Sequence, residues 1–71
     1  MRIVVRITLD KALQKAGISR YELAKRTGIQ YQVIDNYYKN KVIRFDRSIL
    51  GRICAALNCT IADILLYESD T

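Results

Sequence analysis

Between Arg20 and Lys39 the apolar residues keep a spacing that few folds can satisfy. Leu23, Ala24, Gly28, Ile29, Ile34 and Tyr37 fall where two short helices meeting at a tight turn need them. Ala24 must be small because the second helix of the pair packs across it. Gly28 permits a positive φ in the turn, which a Cβ would penalise. Ile29, Ile34 and Tyr37 bury one side of the second helix and leave the other free.

Capping signals bound this pair. Ser19 with Glu22 three residues later reads as a capping box, so a helix begins near Arg20 and spans 20–27. The next helix covers residues near 31–39, with Ile34, Tyr37 and Tyr38 facing inward, and Asn40 serves as its left-handed stop. Upstream, Leu9, Ala12, Leu13 and Ala16 follow helical spacing and predict a helix near 8–16 ended by Gly17. Downstream, Asp46 caps a helix near 46–57 whose Ile49, Leu50, Ile53, Cys54 and Leu57 form a stripe. Gly51 within it reads as a close-packing position. Thr60 and Asp63 predict a fifth helix near 60–67 that supplies Ile64 and Leu65 to the core.

Met1–Ile7 reads as extended, since Arg2, Val4 and Arg6 alternate with Ile3, Val5 and Ile7. The β-prone segment Val42–Phe45 is its expected partner. The fold class is therefore all-α: a compact five-helix array with a possible short N-terminal strand pairing with residues 42–45. With 71 residues, there is chain for one domain spanning 1–71.

Composition narrows the chemistry. The chain has no His, which removes imidazole catalysis and His-ligated metal. Cys54 and Cys59 lack a second thiol pair to complete a zinc site, and read as core and turn residues. Gly17, Gly28 and Gly51 form no phosphate-cradling loop. Catalytic residues, metal, cofactor and a small-molecule ligand are not expected. No apolar run approaches the roughly 20 residues of a membrane span. Arg2 and Arg6 break any leader pattern at the start, so a soluble, cytoplasmic protein is expected. The net charge of +5 is uneven. Residues 1–44 carry ten basic and three acidic side chains, a net +7; residues 45–71 carry two and four, a net −2. The positive field belongs to the segment holding the helix pair.

From about Leu9 to Leu66 the chain resembles the Cro/phage-repressor type of helix–turn–helix protein, the XRE family. Gly17-Ile18-Ser19-Arg20-Tyr21-Glu22-Leu23-Ala24 resembles that family's entry into the first helix of the pair. Gly28-Ile29-Gln30-Tyr31-Gln32-Val33-Ile34 resembles its turn and recognition-helix start, and Leu57-Asn58-Cys59-Thr60-Ile61-Ala62-Asp63-Ile64-Leu65 its closing segment. Four positions depart: Arg20 stands where Gln is common, Tyr38 where Glu is, Asn40 where Gly is, and Thr27 where an apolar residue often is.

The resemblance implies a lambda-repressor-like fold, double-stranded DNA as partner, and a homodimer on a palindromic operator. With the third helix in the major groove, Tyr31, Gln32, Val33 and Asn36 are the expected base-contacting residues. Gln32 and Asn36 are four apart, and each amide can pair with adenine N6 and N7; Val33 can pack on a thymine methyl. Phosphate contacts are expected from Arg20, Gln30, Lys39, Asn40, Lys41 and Arg44. Asp35, repelled by DNA, is expected to pair with Lys39. Dimer surfaces are sought at Met1–Ile7 and Leu65–Tyr67. Two alternatives stay open: a protein-interaction module such as an antitoxin or transcription accessory factor, and a nucleic-acid chaperone acting through charge alone. Gln32, Asn36 and the +7 field favour DNA.

Overall fold

Short-range capping divides the chain before any packing is considered. A computed structural model describes residues 3–69, so Met1 and Arg2 of the extended segment lie outside the described residues. The element order is β1 (Ile3–Ile7), α1 (Leu9–Ala16), α2 (Arg20–Thr27), α3 (Tyr31–Tyr38), α4 (Arg47–Leu57), a 3₁₀ turn (Ile61–Asp63) and β2 (Leu65–Ser69). Ser19 Oγ accepts the Glu22 N–H at 3.0 Å, and Asp46 Oδ1 accepts the Ser48 and Ile49 N–H groups at 2.8 and 3.2 Å. These caps satisfy N–H groups that a helix start leaves unpaired. The helices stop at left-handed residues: Gly17 and Gly28 at φ +72°, Asn40 at +59° and Asn58 at +52°.

Four α-helices form, and a small two-stranded antiparallel sheet accompanies them; the expected fifth helix does not form. After the single turn at Ile61–Asp63 the chain extends, and β2 pairs with β1 in the register Ile3↔Ser69 through Ile7↔Leu65. The Thr60–Asp63 capping box forms as expected but starts only a single 3₁₀ turn. An isolated helix of eight residues is marginal, whereas the N–H and C=O groups of β1 need partners. Ile64 and Leu65 still pack on the core, as expected of that segment.

Residues 42–45 are not the partner of β1. Thr8 N–H donates to Ile64 O at 2.8 Å, so by antiparallel alternation Ile7 turns its own N–H and C=O to the other edge. There the Asn40 side chain meets both: Ile7 N–H donates to Oδ1 at 2.7 Å and Nδ2 donates to Ile7 O at 2.8 Å. One amide takes the place a strand would fill. Segment 42–45 is left as loop, with Val42 packed against the core and Ile43 exposed.

Leu9, Leu23, Ile34, Ile53 and Ile64, one from nearly every segment, are fully buried together. Gly51 does not mark close packing. It is exposed, and an added Cβ would meet nothing within 4 Å. Cys54 and Cys59 are free and half-buried. Cys59 N–H closes the end of α4 on Cys54 O at 3.0 Å, which brings the two side chains together. Burial, reinforced by the neighbouring Cys54, pushes the Cys59 thiol up to about 11. Among the described residues no helix is long and apolar enough to cross a membrane, and no cluster of metal-ligating side chains occurs.

Candidate nucleic-acid interface

The α2–α3 pair is held by its turn and by the core beneath it. Gly28 supplies the left-handed residue. Thr27 explains its own departure from an apolar residue: its hydroxyl donates to Leu23 O at 2.8 Å and accepts the Ile29 N–H at 3.2 Å. The side chain thus closes α2 and ties down the first residue of the turn. Leu23, Ile29, Ile34 and Tyr37 are buried, and Ala24 packs against them. The Tyr37 hydroxyl also accepts the Asp46 N–H at 3.1 Å, fixing the end of α3 to the start of α4.

With one side of α3 anchored, its opposite side carries Tyr31, Gln32 and Asn36. Tyr31 and Gln32 are exposed and Asn36 half-exposed. Gln32 Nε2 donates to Asn36 Oδ1 at 3.1 Å, joining the two amides into one hydrogen-bonding surface. Their remaining donor and acceptor groups stay available to a ligand. Val33 differs: it is half-buried and packs on the core, on the flank of this surface. Tyr21, in the first turn of α2, is 68% exposed and its ring lies 6.3 Å from that of Tyr31. It was not among the expected contacts. The available signal was its place directly after Arg20, outside the inward positions of α2.

The basic residues divide into two groups. Lys41 and Arg44 are exposed and enter no ion pair among the described residues. Gln30, exposed at the cap of α3, makes no capping bond through its side chain. Arg20, Lys39 and Asn40 are instead committed within the protein. Asp35 Oδ1 lies 2.6 Å from Arg20 Nη1, and Asp35 Oδ2 lies 3.1 Å from Lys39 Nζ. The Arg20 guanidinium also sits 4.3 Å from the centre of the Tyr38 ring. Asn40 spends its amide on Ile7. The expected Asp35–Lys39 pair is present, and Arg20 joins it. Hydrogen bonding to Lys39, aided by the charges of Lys39 and Arg20, holds the Asp35 carboxyl below the usual carboxylate range despite its burial.

Residues 8–70 match the family model of the Cro/C1-type helix–turn–helix DNA-binding domain. The chain belongs to this family. It is 38% identical over 64 residues to the "Uncharacterized HTH-type transcriptional regulator YozG" of Bacillus subtilis (strain 168), covering 90% of this chain and 76% of that protein. No solved structure matches it. The chain is a DNA-binding transcriptional regulator of the Cro/C1 type. Two of its departures from the family pattern are coupled, because the Arg20 guanidinium lies over the Tyr38 ring. A third, Asn40, both stops α3 and closes the edge of β1, a task that the usual glycine has no side chain to perform.

Proposed function

We propose that this Cro/C1-type regulator reads double-stranded DNA with α3 in the major groove. The observation that carries the reading is the joined Gln32–Asn36 amide surface, outward on a helix whose other side is buried. Gln32 and Asn36 pair with base edges, Tyr31 reaches a base or the adjacent phosphate, and Val33 lines the flank against a thymine methyl. Tyr21 supports Tyr31 from α2. Lys41 and Arg44, on the loop after α3, together with Gln30, hold the phosphate backbone. Arg20 and Lys39 stand beside it, sharing the one carboxylate of Asp35 between them, and Asn40 acts as a structural clamp.

One α3 reads only one half-site, so the regulator acts as a homodimer on half-sites about one helical turn apart. Val5 and Tyr67, directly paired across the β1–β2 ribbon and both exposed, are the surface offered for that contact. The task requires no cofactor, metal or catalysis, and it is performed in the cytoplasm.

Selection of genomic fragments by the purified protein at physiological salt tests base reading. Enrichment of a palindromic sequence is expected. Gln32→Ala/Asn36→Ala should lose it, each lost bidentate contact removing about 1–3 kcal/mol of discrimination. If no sequence is enriched, or the double variant enriches the same ones equally, these residues do not read bases. Light scattering with and without the selected DNA tests the dimer, and a monomer in both states refutes it.

A further inference from the structure

We propose that Asp35 is a positioning residue that sets the specificity of this regulator. It locks α3 against α2 and holds the charges of Arg20 and Lys39 away from phosphate. The proposal rests on the reading that α3 faces DNA.

Asp35 lies on the recognition helix itself, yet it is only 8% exposed and reaches two cations from different directions. Lys39 comes from the next turn of α3, at 3.1 Å, and Arg20 from the first residue of α2, at 2.6 Å. Tyr38 covers the guanidinium from a third side. A cation at the first residue of a helix is opposed by the helix dipole. Without Asp35, Arg20 and Lys39 would be two unpaired positive charges on the flank of a helix presented to a polyanion.

Contacts to phosphate carry no sequence information. Two freed cations therefore strengthen binding to every duplex alike. A less firmly anchored α3 weakens only the contacts that distinguish one duplex from another. Both effects move the ratio of operator to random binding in the same direction, downward. Asp35 costs the protein non-specific affinity and returns discrimination.

The test uses the full chain with Asp35→Asn, which keeps the shape and removes the charge. Binding to the selected operator and to a random duplex is measured across salt. Each phosphate contact contributes a slope of about 0.9 in log K against log salt, so the random-duplex slope should steepen by about 1–2. Random-duplex affinity should rise about tenfold at low salt, and the operator-to-random ratio should fall about tenfold or more. An unchanged slope, or a proportional loss on both duplexes as a purely structural role would produce, overturns the proposal.

Should Asp35→Asn fail to fold by circular dichroism, Lys39→Gln provides the second arm. A cation held off phosphate leaves the random-duplex slope unchanged when neutralised; a slope shallower by about 1 overturns the proposal. Failure of the base-reading hypothesis shows separately, as absence of an enriched sequence in the selection, while the slopes are read on random DNA.

Discussion

Asn40 shows how much one side chain can decide. Its backbone holds the left-handed conformation that ends α3, at φ +59°, and its amide binds both polar groups of Ile7. Two substitutions separate the tasks. Asn40→Gly keeps the backbone and loses the clamp, and should cost about 1–3 kcal/mol in urea unfolding for the polar groups left without it. Asn40→Ala adds backbone strain of about 1–2 kcal/mol and should be less stable still. Equal stability of wild type and Asn40→Gly would deny the clamp any energetic role. Gly51 gives the opposite case: with open space around it, Gly51→Ala should stabilise α4 by about 0.5–1 kcal/mol, visible as a raised melting temperature. The stop at Asn40 was legible from residue type. The clamp was not, because Ile7 lies 33 residues away.

At the scale of elements, acid is the discriminating variable. The Asp63 carboxylate accepts the Thr60 N–H at 2.9 Å and the Thr60 hydroxyl at 3.2 Å, and these two bonds hold its carboxyl below the usual range. Asp35 is lowered too, chiefly by Lys39. A carboxyl whose folded pKa is depressed contributes stability that is complete above its unfolded pKa and is lost as pH falls through the folded one. Unfolding free energy should therefore be level near pH 6 and decline below about pH 4. Asp63→Asn should flatten part of that decline, and a decline of unchanged slope would remove Asp63 from its cause. The capping turn itself was visible in the spacing of Thr60 and Asp63. The strand after the turn was not, since Ile64 and Leu65 suit a buried helix face and a sheet face equally well.

For the molecule as a whole, the helices and the ribbon give extents of 39 × 22 × 18 Å. A chain this small has a total stability on the order of 4–11 kcal/mol. Ile53, 1% exposed at the meeting point of α4 with the other elements, is worth a large part of it. Ile53→Ala should cost about 2–5 kcal/mol, read as a lower urea midpoint and melting temperature. The ribbon should behave differently. Tyr67→Lys, at a residue 64% exposed, should leave the fold intact by circular dichroism and reduce dimer and operator binding together. A dimer that persists unchanged would place the interface elsewhere.

The local grammar of this protein is complete in its sequence. Caps, glycine and asparagine stops, the two short helices and the outward Gln32–Asn36 pair depend on residues within four positions of one another, where spacing and stereochemistry suffice. Tertiary structure decided what lies between distant residues. It paired Leu65–Ser69 with one edge of β1 and set the Asn40 amide against Ile7 at the other, where Val42–Phe45 would otherwise have added a strand. It also brought Arg20, Asp35 and Tyr38 together, making three separately read residues into one cluster. Backbone groups and charges accept any partner of the right chemistry. Only the packing of Leu23, Ile34, Ile53 and Ile64 into one core determines which partner comes within reach.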